Sequence, residues 1–521
     1  MDIVYPSGGS GYTGPIPEPA TVTVTMDDMP APQVPSELPD PAPGPLTPAA
    51  ALGFDGQAQT PVLDGSEEKP PDTHCAVGTG AGSAGRIVEV TNNGITIFDK
   101  TGSTVASSID LDAFVPTTTT KGAFDPKVIF DQHSSRFFVV VLDGNLPNSG
   151  GSGGESRLHI AQSKTATPGG FTGADWNFHV ADTLVEFPGD GAGPGPSSGY
   201  ESWFDYPGIG ADSTRLVITG NMFDSGGTGR GTKIRVYDKS TIGTTNTFTD
   251  FDVDAVATTG ISTVQPAHTY GTTDNGNFYM INRFGSTLYR LWEIGGTAAS
   301  PTLVAGTHTT TRSWTAGTQI AAGAPQSGVT GITISTLSSR VMNAVYRGGS
   351  VWCTLSADTD SDSKTEVVWF EINTNGGNPT APSVAQSGSI NGSDSDEWTF
   401  MPSINVNTND DVAVCFSQSF SDQFVDIRVA TRTSGETAGT MQTSVVYKTS
   451  VGEYDDFNST NPERWGDYSA CVVDPDDDTT FWIANEYCSV ARSSGDDAAW
   501  GTWIAKLGTV VPVELSVFTA E

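Results

Sequence analysis

The sequence predicts an all-β protein assembled from a series of small antiparallel sheets. Three observations carry that prediction. The composition is rich in turn formers, with 60 glycines and 32 prolines among 521 residues, and poor in strong helix formers. Short runs of β-branched and aromatic residues recur between Gly, Asn and Asp clusters, whereas apolar residues at a helical period are scarce. One arrangement of those runs returns seven times beyond Pro71.

The chain opens with a different composition. Residues 1–70 hold 14 of the 32 prolines, concentrated in stretches such as Pro15 to Pro19 and Pro39 to Pro45. Proline removes backbone donors and favours extended chain, so residues 1–70 read as a polyproline-like leader. Its first 45 or so residues are expected to pack little against the rest.

The repeats then follow in order. The first unit has runs at Ala76–Gly78, Arg86–Val90 and Gly94–Asp99, and the second at Asp125–Asp131, Arg136–Val141 and Arg157–Ala161. The third has Asp205–Gly210, Arg215–Asn221 and Lys233–Asp238, and the fourth Pro266–Tyr270, Asn277–Ile281 and Leu288–Glu293. The fifth has Met342–Tyr346, Ser350–Thr354 and Glu366–Glu371, and the sixth Met401–Val406, Val412–Phe416 and Val425–Val429. The seventh is the clearest: Tyr468–Val473, a turn of Pro475 and three aspartates, Phe481–Tyr487, then Gly501–Leu507.

Each unit is a strand, a polar turn, a strand, a longer loop and a third strand. Isolated hairpins are marginal in water, so such units need neighbours. Units of roughly 40 to 80 residues, each a small antiparallel sheet, correspond to propeller blades. Two or three immunoglobulin-like sandwiches are the competing arrangement, but their strands differ in role along the chain and would not repeat a first strand. The expectation is therefore a single seven-bladed β-propeller over residues 71–510. Residues 511–521 read as the start of a C-terminal linker or as a padding strand. The first unit is short of strands, so a segment near Gly53 and Phe54 is expected to complete the sheet of the last blade and close the ring.

Charge narrows the function classes. With 25 basic and 60 acidic residues the net charge is -35, which repels nucleic acid and anionic membranes. The longest apolar run, Phe137 to Leu142, has strand length, and no run is long enough to span a bilayer. The N-terminus shows no signal-peptide pattern. Five cysteines cannot all pair within one chain, and none has zinc or haem spacing, so they read as small buried hydrophobes.

Several segments resemble a family of secreted bacterial β-propeller proteins. They are the PPDT-x-x-AVG stretch from Pro70 to Gly78, Asp125 to Val140 (DP-x-V followed by RFFVV), and Asp205 to Phe223, which opens DYP. The family's R-x-x-NAVYR segment matches Arg340 to Trp352, and its WGDYSA…VDP…FW-x-ANEY signature matches Trp465 to Tyr487. The resemblance covers roughly residues 53–507 and implies a secreted or surface propeller with no established catalytic residues. Two positions depart from it: Cys75 stands where the family often has Gly, and Gly220 where Ala is usual. The tail from Val511 is similar to the stretch that begins a C-terminal sorting domain in surface proteins of gliding-type bacteria.

Asp205, Asp467 and His268 fall near unit starts, where a central channel is lined. Carboxylates there serve acid/base work when paired, and otherwise cap backbone amides. Trp203, Trp398 and Trp465 lie just before unit starts; exposed, they would stack on sugar rings, and buried, they would be core. Two acidic loops have spacing suited to calcium: Asp358, Asp360 and Asp362, and Asp474, Asp476 and Asp478. Calcium is the one cofactor the sequence suggests, against solvated turns as the plain alternative.

The function expected from these features is a non-catalytic, extracellular or cell-surface propeller that binds a glycan or a surface protein, or self-assembles into an extracellular layer. The alternative is a sialidase-like or other carbohydrate-active enzyme with its site at the channel mouth.

Overall fold

The computed structural model describes residues 47–59, 69–117, 122–145, 153–187, 200–255, 261–310, 323–328, 331–377, 382–390, 396–455, 461–491 and 498–509. The expectations for residues 1–45 and for the tail from 511 lie outside these. Seven antiparallel sheets of four or five strands follow one another along the chain, in the seven-bladed propeller arrangement. The inner strands are His74–Val77, Ala123–Asp131, Tyr200–Ala211, Gln265–Pro266, Val341–Arg347, Trp398–Val406 and Ala470–Val473 for blades one to seven.

Each blade has a fourth, outer strand that the repeats did not reveal, such as Thr104–Ile109, Phe248–Asp254 or Ser300–Thr309. Thr104–Ile109 and Ser300–Thr309 have water on one side and are rich in Ser and Thr, so they lack the apolar signature of the inner three.

Propeller strands are buried on both faces, which explains the unbroken apolar run in Arg136–Asn145. Side chains alternate across a strand. Phe137, Val139 and Val141 therefore pack against blade one, while Phe138, Val140 and Leu142 pack against blade three. Burying each contributes about 1.5–3 kcal/mol. Similar clusters fill the gaps between the other neighbouring blades. All five cysteines are buried.

The ring closes through Ala50–Ala58, which pairs antiparallel with Ala499–Leu507 as the outer strand of blade seven. Gly53 lies opposite Ala505 and Phe54 opposite Ile504, so the expected closing segment is present. The leader boundary at residue 70 is corrected accordingly, because alternating Leu52 and Phe54 can bury one face and the stretch between Pro48 and Pro61 is proline-free. Phe54 meets Phe98 of blade one with ring centroids 5.3 Å apart. Glu89 of blade one accepts from the Gln57 N–H at 2.9 Å and the Thr502 hydroxyl at 2.5 Å.

Blade four departs from the common plan. After pairing at Gln265–Pro266, its inner chain swings across and His268–Thr269 runs parallel beside Val345 and Tyr346 of blade five. This sets His268 and Tyr270 into one end of the channel.

Candidate functional site: the channel and its two ends

Because every blade repeats the same meander, the inner strands begin together at one end of the channel and finish together at the other. At the beginning end the chain enters several strands through a sharp twist. Asp72, Asp125, Tyr206, Thr263, Leu337 and Met401 all have φ between +48° and +56°, a region costly for non-glycine residues. Register shifts accompany the twist in blades two, three and six. The sequence signal was an X-Pro step at Asp125, Tyr206 and Met401, visible but not understood as a bulge.

A closed circuit of hydrogen bonds supports this backbone. Asp72 accepts from the Asp467 N–H at 2.7 Å and from the Asn92 amide at 2.8 Å. Asn92 accepts from the Asp125 N–H at 2.8 Å, and Asp125 accepts from the Tyr206 N–H and the Tyr468 hydroxyl, each at 3.2 Å. The Tyr206 hydroxyl then donates to the Asp467 carbonyl at 3.1 Å, which completes the loop across blades seven, one, two and three. Gly466 has φ +144°, and a Cβ there would lie 2.8 Å from a Glu486 carboxylate oxygen. Glycine is therefore what lets Asp467 reach Asp72.

Cations and rings cover the circuit. Arg340 lies 4.7 Å from the Tyr206 ring centroid, Lys127 Nζ 4.0 Å from that of Tyr468, and Arg464 3.7 Å from an Asp467 carboxylate oxygen. Tyr206 and Tyr468 meet edge to face at 5.0 Å. Burial, then the neighbouring Asp467 and Asp125, push the Asp72 carboxyl well above the usual range. Burial also pulls the Lys127 amine down to about 8.

Below this seal lies a cavity of about 220 Å³ lined by inner strands of all seven blades. Its closed end is formed by Met342, whose sulfur accepts from the Tyr206 hydroxyl at 3.7 Å, and by Lys127 and His74. His74 donates from Nδ1 to the Val128 carbonyl at 2.9 Å. Burial and Lys127 push its pKa down to about 3, so the ring stays neutral. The open end is rimmed by Gly271, Pro475 and Asp478, which reach solvent. Asp478 takes both Arg347 guanidinium nitrogens there, at 2.8 and 2.5 Å.

The residues singled out from the sequence do not converge on one site. Asp467 joins the sealed circuit. Asp205 is fully buried in its strand opposite Asn221. His268 sits toward the other end of the channel, with Nδ1 accepting from the Ala211 N–H and Nε2 bonding Gln132, both at 3.2 Å; burial pushes its pKa down to about 4. The shared position of His268 and Asp467 is thus corrected, because the blade-four chain crosses to blade five before His268.

The three indoles are core rather than stacking platforms. Trp398 and Trp465 belong to an eighth apolar cluster over the sealed end, and Trp465 donates to the Ser417 hydroxyl at 3.2 Å. Trp203 is buried between Phe124 and Phe223.

The two acidic loops separate. Asp358, Asp360 and Asp362 bring one carboxylate oxygen each to within 4.8 Å of one another, with Asp358 also accepting from the Ser361 and Ser363 N–H groups. The reading of Asp474, Asp476 and Asp478 as a cation site is corrected. Lys100 bridges Asp474 and Asp476 at 2.6 and 2.7 Å, tying blade one to blade seven, and Arg347 takes Asp478.

No family model and no curated protein matches the chain. Among solved structures it is similar to a Hadza microbial sialidase, with 12% identity over 83% of this chain and 75% of that one and a TM-score of 0.37. A thermostable family-43 glycoside hydrolase matches at 10% identity over 75% of this chain and 94% of that one, with a TM-score of 0.29. Trypanosoma rangeli sialidase matches at 10% identity over 78% of this chain, with a TM-score of 0.34, and the match spans 56% of that protein's chain. Likenesses of this size carry no functional argument.

Proposed function

We propose that the protein is a non-catalytic binding propeller, working outside the cell or on its surface, whose ligand occupies the blind channel. One observation carries the reading: among the described residues, the cavity lining holds a single carboxylate, Asp478, and it is paired with Arg347. Hydrolysis needs an acid/base pair at the reacting atoms, and the carboxylates that do gather are occupied in the sealed circuit. A concave wall that mixes apolar and polar side chains suits recognition. A net charge of -35 disfavours nucleic acid and anionic membranes and leaves glycans and surface proteins as the partner classes.

A carbohydrate-active enzyme is the second reading. What favours it is the gathering of Asp72, Asp125 and Asp467 with Tyr206, Tyr468, Arg340 and Arg464 at one end. A glycan array run beside a panel of glycoside substrates separates the two. Saturable binding without turnover is expected. Turnover abolished by Asp125→Asn or Asp467→Asn would replace the binding reading with the enzymatic one.

A further inference from the structure

From the same channel, and resting on the reading that it takes a ligand, we infer that Lys127 makes its blind end a receptor for the carboxylate of a small organic acid. Lys127 is one of four buried lysines among the described residues. The other three each hold a carboxylate: Lys100 with Asp474 at 2.6 Å, Lys233 with Asp252 at 2.7 Å and Lys239 with Asp131 at 2.6 Å. Lys127 is 4% exposed, and among the described residues its Nζ makes no hydrogen bond and no ion pair. Its contacts are the faces of Tyr468 and, at 5.8 Å, Tyr206. A buried ammonium with three unused donors, lining a cavity, has no anion in contact, and the carboxylates that act on it, Asp125 first, do so without an ion pair.

The surroundings specify the class. Gln265, in the same lining, has a buried side-chain nitrogen without a partner, and the Asn343 carbonyl oxygen is taken by the Ile404 N–H, leaving the amide donors of Asn343 to the cavity. One cation with neutral amide donors matches a single negative charge, whereas phosphate is held by arginine forks or several cations. Between the closed end and the mouth the wall is mixed, with Ala76, Ile129, Ala344 and Val345 interspersed with Gln132, Ser403 and Asn405. A cavity of about 220 Å³ that opens at one end accommodates a small acid. The charged and titratable groups facing Lys127 are Asp72, Asp125 and Asp467 from the seal, the two tyrosines with Arg340 above them, and neutral His74 beside it. Three cations, Lys127, Arg340 and Arg464, oppose three carboxylates, one of which is held toward its protonated form, so the seal brings no surplus of negative charge.

The test is calorimetric titration of the full chain with sodium butyrate, its neutral isostere butyramide, and inorganic phosphate. Saturable butyrate binding is expected at pH 7, with butyramide and phosphate at least tenfold weaker. Lys127→Met, which keeps the length of the stem, should lose tenfold or more in butyrate affinity while melting as a folded protein. Only the charged amine holds the anion, so wild-type affinity should be flat from about pH 6 to 8 and fall about tenfold for each pH unit above the amine's pKa in the unliganded protein. That profile decides the matter even if the variant misfolds. Equal binding of butyrate and butyramide, preference for phosphate, or a Lys127→Met protein that binds butyrate like wild type would overturn the assignment. So would a flat profile to pH 10, or no butyrate binding at all, which leaves water as the only occupant. If glycans bind in the array while butyrate does not, the binding reading stands and the carboxylate site alone falls. Glycoside turnover with butyrate binding intact would do the reverse.

Discussion

The two ends of the channel are built from the same residue types and behave as opposites. At the closed end, aspartates 395 positions apart in the chain, Asp72 and Asp467, meet in one buried circuit with strained backbone. At the open end, aspartates sit in short turns, bond their own backbone, and pair with a cation from a neighbouring blade: Asp477 caps Thr479 and Thr480, and Asp476 takes Lys100. The first set lacks water and depends on every partner; the second is partly hydrated and can lose a partner cheaply. Composition alone therefore says little about what a carboxylate does here. Its access to water decides.

The largest effect expected from this difference is at Asp125. Its replacement by Ala removes the acceptor for Tyr206 and Tyr468 and strips Lys127 of its largest favourable charge. A loss of about 3–5 kcal/mol is expected in guanidinium unfolding. A loss under about 1 kcal/mol would show that the circuit does not hold the ring's closed end.

The pH dependence should follow the same division. Burial raises Glu89, at the closing seam, from 4.5 to about 7, and it raises Asp72 at the sealed end. The folded state keeps these protons where the unfolded chain has released them, so their stabilisation is complete below the unfolded pKa and disappears as pH rises through the folded one. The opposite holds at the open end, where Asp476 and Asp477 are lowered, net of their burial, by hydrogen bonds, the former also by Lys100; they stabilise above the unfolded pKa and lose that effect as pH falls. Comparing wild type with Glu89→Gln between pH 4.5 and 7 should reveal a decline on the order of 3 kcal/mol in wild type that the variant lacks. Parallel curves would mean that Glu89 stays ionised in the fold.

Gly220 supplies an intermediate effect. A Cβ there would lie 2.4 Å from the Phe204 ring. Gly220→Ala should cost about 1–3 kcal/mol through displacement of that ring, and Gly220→Ala combined with Phe204→Leu less than the sum of the two. Strict additivity in thermal unfolding would mean the ring gives way freely.

The smallest effect is expected at the open rim. Asp478 has a side chain 44% exposed, so Arg347→Gln should cost under about 1 kcal/mol. The substitution removes a cation from the mouth, so ligand association in the channel should change more than stability does. A stability loss above 2 kcal/mol would place the rim among the structural locks and erase the contrast between the ends.

Much of this molecule was determined by local sequence. Turn residues between apolar runs set the hairpins, as at Pro475 to Asp478. The unbroken run from Phe137 to Leu142 marked a strand with two buried faces. Seven returns of one pattern set the blade number, and the shortage of strands in the first unit pointed to a closing segment near Phe54. Each of these depends on neighbours within a few residues, where periodicity and turn chemistry act. What the tertiary structure alone decided concerns partners far apart in the chain. It made Trp398 and Trp465 core under an eighth cluster, sent His268 to the opposite end from Asp467, gave Asp474, Asp476 and Asp478 to Lys100 and Arg347, and left Lys127 lining a cavity with no anion in contact. The physical reason is common to all four. Whether a side chain is hydrated, packed or charged depends on what closing the ring brings against it, and that is set by contacts across hundreds of residues rather than by the run in which the side chain lies.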